Sequence, residues 1–348
     1  MSTDIKNIIK VASVIIGTVI GAGFASGQEI LQFFTVYYEK GFWGIILAGI
    51  LFCVVAAAVL DYVYKCKLKS YSEFIIPLTG KYAGTLIESI VMLFLVSSFF
   101  IMMAGSGALF KEYFGLNTII GAAIMSAACC IVFLFNFRGL IAINTVIAPI
   151  LVGGIGLLGL YIIAVLNMPV FDGEGQNIIG NWFSSSVLYV GYNSIALVAI
   201  LANLLPYLST RKVVIGGAIL GGGLLGLLAL VIYFLTSLFY PYVLEFQIPI
   251  LQVIEKLNLS VGDLYSFILF VAMFTSAVSS GFCFLHKLSG DEISKFNLYA
   301  VVLCFIAVPL SVVGFSNLVK VIYPVFGYIG FFQVIIIITA YLFRFRLR

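Results

Sequence analysis

The feature that most constrains the fold is a series of apolar stretches, each long enough to cross a bilayer as a helix. A bilayer core requires about 20 consecutive apolar residues in helical form, and charged or Pro/Gly/Asn-rich joints divide this chain into ten such stretches. The sequence therefore predicts an all-α polytopic membrane protein with ten transmembrane helices. The predicted spans are residues 7–38, 42–64, 82–113, 117–136, 138–166, 180–207, 212–240, 262–288, 296–314 and 317–343.

The composition excludes a soluble globular protein. Hydrophobic residues make up 63% of the 348 residues and charged residues only 9%, which is too little polar surface to coat a soluble domain. The N-terminal segment lacks a small-residue cleavage site, so we expect the first apolar stretch to be retained as a span. The six cysteines show no CxxC spacing and His286 is the single histidine. Neither a disulfide framework nor a resident cofactor is therefore expected, and no basic, aromatic-rich surface suggests nucleic acid.

The distribution of basic residues predicts the orientation. With the N-terminus in the cytoplasm, 14 of the 18 Lys and Arg residues fall on cytoplasmic segments, as the positive-inside bias requires. An even number of spans then places both termini in the cytoplasm, in the cell (inner) membrane. Residues 247–258 are too short and too charged to span, and we expect them to form an amphipathic helix on the outer surface. The four basic residues on outer segments are Lys40, Lys111, Lys256 and Lys320.

Glycine and polar residues interrupt two of the ten spans. The first contains "GAGFASGQE", from Gly21 to Glu29, and the sixth contains "YVGYNS", from Tyr189 to Ser194. Backbone that leaves the helix in mid-membrane is tolerated only where it lines a cavity or is buried in protein. The interruptions lie five spans apart, and an odd offset reverses direction across the membrane. We therefore expect residues 1–166 and 180–343 to form a 5+5 inverted repeat in one integral membrane domain, with helices 1 and 6 broken. The alternative is that such glycines mark close helix packing.

Ten spans with these two breaks resemble the leucine-transporter (LeuT) fold of the amino acid, polyamine and organocation superfamily. The whole chain resembles the YkvI-like bacterial membrane proteins. The stretch "GTVIGAGF" is similar to the glycine-rich break of that superfamily, and "AMFTSAVSS" is similar to the segment that binds sodium in its sodium-coupled members. The resemblance implies a sodium site made of the carbonyls of Gly17, Ile20 and Ala272 and the hydroxyls of Thr275 and Ser276. Alternatively, these hydroxyls only bond carbonyls of the preceding turn.

The substrate is expected between the two breaks. Amides at the start of the outer half of helix 1, around Gly23 to Gly27, suit a carboxylate, which favours an amino acid or a similar small zwitterion or amine. The third span is expected to contribute serines and the sixth an aromatic wall. The predicted substrate-binding residues are Gly21, Ala22, Gly23, Phe24, Ser26, Gly27, Glu29, Ser97, Ser98, Tyr189, Tyr192 and Asn193, with Ser106 as a further candidate.

These features predict a secondary active transporter that works by alternating access, with sodium-coupled symport as the leading mechanism. In proton-coupled relatives of this superfamily, a lysine of the fifth helix often occupies the sodium position. The fifth span of this chain has no lysine, which favours sodium over protons as the coupling ion. The alternatives are a proton-coupled transporter that uses Glu29 or Glu88, and a membrane sensor that binds a ligand without moving it. An enzyme is not expected because the sequence lacks HExxH, GxSxG and P-loop motifs. The expected partners are a small-molecule substrate and the lipid bilayer.

Overall fold

The computed structural model describes residues 3–68, 71–135, 149–161 apart from 151, 158 and 160, and 181–344 apart from 258, 260 and 291. Within these residues every regular element is a helix, and no strand is present. The predicted all-α class is therefore confirmed for this part of the chain. The junction between the two predicted halves, residues 166–180, lies outside the described residues, as does most of the predicted fifth span.

The first span is broken, as predicted. Helix α1 (Thr3–Val19) stops before Gly21, a short helix α2 (Ala22–Ala25) follows, and α3 (Gln28–Phe33) completes the span. Gly21 is extended, with φ −108° and ψ −165°. Gly27 separates α2 from α3 with a φ of +83°, a conformation that is costly for any residue with a Cβ atom.

Long helices follow at the positions of most other predicted spans. By length and apolar composition, seven helices of the described residues are able to cross a membrane. A shorter apolar helix, α7, matches the predicted fourth span, and α5 is an additional short helix that the sequence did not indicate. The helices after the first span are α4 (Glu39–Cys66), α5 (Tyr71–Thr79), α6 (Lys81–Glu112), α7 (Thr118–Leu134), α8 (Trp182–Leu201), α9 (Arg211–Leu238), α10 (Pro249–Lys256), α11 (Gly262–Ser289), α12 (Ile293–Leu310) and α13 (Phe315–Arg344).

The predicted break in the sixth span is wrong. Helix α8 is continuous from Trp182 to Leu201 and passes through Gly191 without interruption. The reason is packing: a Cβ on Gly191 would lie 3.0 Å from the backbone nitrogen of Phe331 and would also contact the Gly327 carbonyl. Gly191 therefore lets α8 and α13 approach closely, which is the usual role of small residues between membrane helices.

The two polar residues that follow Tyr192 in α8 are satisfied by the helix itself. The Asn193 side-chain amide donates to the Tyr189 carbonyl at 3.0 Å, and the Ser194 hydroxyl donates to the Val190 carbonyl at 2.6 Å. Both bonds run back one turn along the same helix, so they require no unwinding.

The predicted amphipathic helix at residues 247–258 is present as α10, but it does not lie on the surface. Its residues from Pro249 to Ile254 are buried in the protein. The N–H of Ile250 donates to the Ser26 carbonyl at 3.0 Å, so α10 reaches the point where α2 ends. The carboxylate of Glu112, at the end of α6, accepts the N–H groups of Gln247 and Ile248 at 2.8 and 3.1 Å.

The long helices enclose the broken span. Helix α8 packs against α13 and α4, α9 packs against α1 and α4, and α11 packs against α6. Large apolar side chains face outward from this bundle, such as Trp43 at 58% exposure and Phe305 at 80%. An apolar outer surface of this kind is what a bilayer requires, whereas water would oppose it.

Candidate functional site

The carboxyl group of Glu29 lies at the centre of the candidate site. Glu29 is the second residue of α3 in the broken span, and its side chain is buried, with 3% of its surface exposed. The phenol of Tyr192 on α8 donates a hydrogen bond to this carboxylate. The backbone N–H of Phe24 in α2 also donates to it. The carboxylate thus connects both short helices of the first span to α8.

Aromatic rings surround the contact between Glu29 and Tyr192. The Tyr192 ring stacks on Tyr323 of α13 with a centroid distance of 4.4 Å and an interplanar angle of 17°. Tyr189 meets Tyr192 edge to face at 5.6 Å, and Phe33 lies 5.6 Å from Tyr192. The phenols of Tyr189 and Tyr323 lie within range of the Glu29 charge. Such rings present electron-rich faces that attract cations.

No basic side chain compensates Glu29 in the part of the chain that the structure describes. The ion pairs between described residues join Asp61 with Lys65 and Arg211, Glu88 with Lys287, and Glu292 with Lys295. An uncompensated charge inside a membrane protein is costly, so an intramembrane acid without a partner indicates a functional site. The chemistry available here is the binding of a proton or of another cation.

The glycine pair in the first break makes room for this arrangement. A Cβ on Gly23 would lie 2.6 Å from the Glu29 Cγ, so the acid occupies the space that a side chain at position 23 would need. A Cβ on Gly27 would lie 2.7 Å from Ile250 Cγ1 of α10. Ala22 and Phe24 are buried beside Gly23. These predicted residues therefore do lie together around Glu29.

Ser26 serves the backbone at the end of α2. Its hydroxyl donates to the Gly23 carbonyl at 3.1 Å and accepts the N–H of Gln28 at 3.3 Å. Four of the five N–H groups that were expected to bind a carboxylate, those from Gly23 to Gly27, are also used within the chain. Ala25 donates to the Gly21 carbonyl, Ser26 to Ala22 and Gly27 to Phe24, while the Phe24 N–H donates to Glu29.

Several predicted substrate residues are not part of this cluster. Asn193 bonds the backbone of α8, as described above, and Ser106 donates to the Gly121 carbonyl at 2.9 Å, which joins α6 to α7. Ser97 and Ser98 are half-buried on α6. Helix α6 instead approaches the break through Met102, whose Cε lies 3.9 Å from the position of a Cβ on Gly21.

Two carbonyls of the predicted sodium site lose their helical partners at the break. The Gly21 N–H donates to Val19 at 2.9 Å, although a continuing α-helix would direct it to the Gly17 carbonyl. The Phe24 N–H donates to Glu29, although a continuing helix would direct it to the Ile20 carbonyl. Carbonyls released in this way are available as oxygen ligands.

One α11 residue of the predicted sodium site, Ser276, faces the same break. The Ser276 Oγ lies 3.5 Å from the position of a Cβ on Gly21. The Thr275 hydroxyl donates to the Ala272 carbonyl at 3.0 Å, so these two oxygens are adjacent. This last bond is also the one expected if Thr275 only satisfies the preceding turn. The Tyr265 hydroxyl of α11 donates to the Ala25 carbonyl at 2.6 Å, which holds α11 against α2.

The second acidic candidate, Glu88, lies elsewhere. Its carboxylate is 3.2 Å from the ammonium group of Lys287, which joins α6 to α11, and neither side chain is fully buried. Asp61 likewise pairs with Lys65 at 2.6 Å at the end of α4. Both acids therefore have a compensating cation, in contrast to Glu29.

Sequence reasoning missed Tyr323 and Phe33. Tyr323 precedes Pro324 in an otherwise ordinary apolar span, and Phe33 stands beside Phe34 at the end of α3. Aromatic residues are common in such positions. Neither residue carries a local signal, and only the packing of α13 and α3 against α8 brings their rings to Tyr192.

The chain is similar along most of its length to proteins without an assigned function. It is 30% identical over 328 residues to the uncharacterized membrane protein YkvI of Bacillus subtilis (strain 168), covering 92% of both chains. It is 24% identical over 329 residues to the uncharacterized protein YyaD of the same organism, covering 92% of this chain and 93% of YyaD. No protein-family model matches the chain.

Among solved structures, the fold is similar to that of several membrane transporters. A substrate-bound, outward-open Na⁺-coupled sialic acid symporter matches with a TM-score of 0.59 at 15% identity, over 93% of this chain and 75% of that one. Inward-facing Mhp1 matches with a TM-score of 0.60 at 12% identity, over 90% and 75%. A manganese transporter of Eremococcus coleocola matches with a TM-score of 0.59 at 13% identity, over 93% and 76%. These likenesses concern the fold, which agrees with the expected LeuT-like class.

Proposed function

The chain belongs to the family of the YkvI-like membrane proteins, and from that premise we propose that it is a secondary active transporter. In this proposal it carries a small solute by alternating access, as a symporter driven by the sodium gradient. The solute is an amino acid or a similar small zwitterion or amine. Membership in the wider amino acid, polyamine and organocation superfamily belongs to the same proposal and is supported by the fold and the "GTVIGAGF" pattern.

The observation that carries this proposal is the buried Glu29 carboxyl at the broken first span. Broken backbone within a membrane is costly unless it binds something, and a buried acid without a basic partner adds a second cost. A chain that only needed an anchor would have neither feature. Binding and release of a cationic group at this point would account for both.

Sodium coupling is supported by the oxygens at the junction of α1, α2 and α11. The Gly17 and Ile20 carbonyls are released from helical bonding, and Ala272, Thr275 and Ser276 stand on the facing helix. Hard monovalent cations prefer several oxygen ligands, and carbonyls and hydroxyls supply them without a formal charge. An ion at this junction would hold α1 against α11 and so favour one arrangement of the break.

A proton is the alternative coupling ion, and Glu29 is then its carrier. Glu88 is the weaker carrier because Lys287 compensates it. A ligand sensor without transport would share the same site, and flux separates it from a transporter. In the proposed orientation both termini are cytoplasmic in the cell (inner) membrane.

The double variant Thr275→Ala with Ser276→Ala tests the coupling ion. It removes two of the five proposed oxygen ligands without adding charge or volume. Thermal-shift titration of purified protein with amino acids and small amines, in sodium chloride or potassium chloride, measures binding because a ligand of the native state raises its stability. We expect sodium to strengthen ligand binding in the wild type, and the ligand to strengthen sodium binding by the same factor. The double variant should lose this dependence.

The matched control is Ser266→Ala with Ser289→Ala, which removes two hydroxyls from the ends of the same helix. It should keep the sodium dependence. Uptake of the strongest ligand into proteoliposomes, with a sodium or a pH gradient, then measures transport. If Thr275→Ala with Ser276→Ala keeps full sodium dependence while Glu29→Gln abolishes pH-driven uptake, the proton mechanism replaces the sodium mechanism.

A further inference from the structure

The chain's own Glu29 fills the position in which a substrate carboxylate was expected. The carboxylate accepts the N–H of Phe24 in the first turn after the break, and it lies against the bare backbone of Gly23. The remaining N–H groups of this segment, from Ala25 to Gly27, already donate to carbonyls of α2 and its flanks. Four of the five N–H groups from Gly23 to Gly27 therefore already have acceptors, which leaves few donors for an incoming anion.

The charge of Glu29 also opposes a second carboxylate. Two like charges at short range within a protein of low dielectric repel each other strongly. A zwitterion whose ammonium group contacts Glu29 would also hold its own carboxylate close to Glu29, because only a few bonds separate its two charges. An amino acid thus meets repulsion and finds few remaining donors at this point, whereas an amine has no carboxylate to be repelled and needs no donors for one.

Other groups around Glu29 also favour a donor with positive charge. The amide oxygen of Gln32, three residues along α3 from Glu29 and on the same face of the helix, is buried without a hydrogen-bond partner among the described residues. The Tyr189 phenol is likewise buried and unpartnered there. Buried polar groups are normally satisfied, and these oxygens accept hydrogen bonds. The stacked rings of Tyr192 and Tyr323 add cation–π attraction.

A metal ion fits these groups less well than an organic cation. The described residues contain no group of three or more His, Cys, Asp or Glu side chains that could hold a metal ion. Glu29 is a single carboxylate among aromatic rings, whereas Mn²⁺ prefers carboxylate, carbonyl and water oxygens. Ring faces suit the weakly hydrated charge of an organic ammonium group.

An apolar cleft begins at the same residues. Phe24 and Tyr189 line it on the site's side, and it continues between α4 and α9 past Phe52, Gly49 and Gly226. The cleft borders the aromatic cluster without a charged side chain among its lining residues. With a volume of about 10 Å³ it has room for no more than about one water molecule, so it admits the hydrocarbon part of an amine only if α4 and α9 move apart.

We propose that the transported solute is an organic ammonium ion without a carboxylate beside its charged nitrogen, held by Glu29 among the rings of Tyr192, Tyr323 and Tyr189. Glu29 takes the place that the substrate's own carboxylate would occupy in an amino acid complex. This inference rests on the proposed transport function, and it specifies the substrate class of that same site.

The test compares amines with the amino acids from which they differ by one carboxylate. The probes are phenethylamine with phenylalanine, tyramine with tyrosine, cadaverine with lysine, and agmatine with arginine, together with manganese chloride. Binding to purified full-length protein is measured by thermal shift and by isothermal titration calorimetry in detergent. We expect at least one amine to bind, and each binding amine to do so at least about tenfold more tightly than its amino acid, a preference of about 1.4 kcal/mol.

Variants connect the preference to Glu29. Glu29→Gln keeps the side-chain shape and should weaken amine binding roughly thirtyfold or more, because the buried cation then loses the negative charge that holds it. Tyr192→Phe keeps the ring, removes its donor to Glu29 and should weaken binding less. Glu292→Gln removes the same charge from the exposed start of α12 and should leave binding unchanged. Unliganded melting temperatures of all variants verify folding.

The outcomes are distinguishable from those that test transport. The inference is overturned if no amine of the panel binds, if an amino acid binds as tightly as its amine, if manganese alone binds, or if a folded Glu29→Gln keeps wild-type amine affinity. Tight amine binding that depends on Glu29 but gives no uptake into proteoliposomes supports the inference and rejects the transport function. Uptake of an amino acid, with no binding or uptake of the matching amine, supports the transport function and rejects the inference.

Discussion

At the residue scale, Gly23 and Glu29 depend on each other. The acid is buried because the backbone of position 23 carries no side chain, and the break brings the Phe24 N–H to its carboxylate. A carboxyl group in this position needs a hydrogen-bond donor and space, and the two residues supply both. The site therefore depends on a glycine for space rather than for an unusual dihedral angle.

The variant Gly23→Ala should displace Glu29. Its Cβ would lie 2.6 Å from the Glu29 Cγ, which requires the acid to move. We expect ligand binding in the thermal-shift assay to weaken by more than about tenfold, with a stability loss within the roughly 1–3 kcal/mol typical of overpacking. Gly223→Ala is the control because a Cβ there meets nothing within 4 Å. Equal ligand affinity in both variants would place the binding site elsewhere.

At the element scale, glycines serve two different purposes in this molecule. In the first span Gly27 supplies the positive φ that separates α2 from α3, whereas Gly21 at the end of α1 has an extended backbone that any residue can adopt. In α8 and α13, Gly191 and Gly330 let two unbroken helices touch through their backbones. The contact between α8 and α13 also sets the stacking of Tyr192 on Tyr323. The packing of α8 against α13 thus positions the aromatic cluster that surrounds Glu29.

Gly191→Ala should act on stability because it separates α8 from α13. The added Cβ meets the backbone at Phe331 and Gly327, which cannot move as a flexible side chain would. We expect a loss of about 1–3 kcal/mol or more, measured as a lower melting temperature of the unliganded protein than that of Gly223→Ala. A melting temperature equal to that of this control would contradict the packing role.

Helix α10 covers the end of α2, and Glu112 holds its start. Removal of the carboxylate by Glu112→Ala takes away the acceptor for the N–H groups of Gln247 and Ile248. A loss of about 1.4 kcal/mol would raise the open population roughly tenfold. We expect a proportional rise in the rate at which a membrane-impermeant maleimide labels Ser26→Cys, in a background without the six native cysteines.

The control for this measurement is Glu255→Ala, which removes an exposed acid from α10 itself. It should leave the labelling rate of Ser26→Cys unchanged. If Glu112→Ala also leaves that rate unchanged, the carboxylate does not hold α10 over the break.

At the scale of the whole molecule, the bundle has an apolar outer surface and a polar site in its interior, beside the break in the first span. The exposed apolar residues suit a lipid bilayer, and the buried Glu29 is the residue at which we propose that a ligand binds. Ion pairs near helix ends join Asp61 with Lys65 and Glu88 with Lys287, so these two acids have cationic partners. Both features are expected of a bilayer protein with an internal site.

The proposed orientation predicts opposite accessibility for two exposed positions. Lys67→Cys lies at the end of α4 and Glu245→Cys lies before α10. In intact cells, with the native cysteines replaced, an impermeant maleimide should label Glu245→Cys, whereas Lys67→Cys should require permeabilised cells. The positive-inside bias is the reason for this expectation. The reverse pattern would invert the orientation and place the α10 side in the cytoplasm.

The sequence alone determined the class of the protein and the position of its first break. Span lengths follow from the thickness of the bilayer, so apolar stretches predicted most helices within a few residues. The stretch from Gly21 to Glu29 combines glycines with polar residues and an acid, and such a combination is unfavourable in an unbroken lipid-facing helix.

Only the tertiary structure decided what each glycine and each aromatic residue does. Gly191 resembles Gly23 in sequence, but the neighbour of Gly191 is the backbone of α13 and the neighbour of Gly23 is a carboxyl group. Likewise, Tyr323 becomes part of the site through its stacking on Tyr192. For Gly191 and Tyr323 the partner comes from a distant part of the chain, whereas the partner of Gly23 is Glu29, six residues along. Contacts between helices far apart in sequence therefore decided the continuity of the sixth span, the position of α10 and the place of Tyr323 in the aromatic cluster.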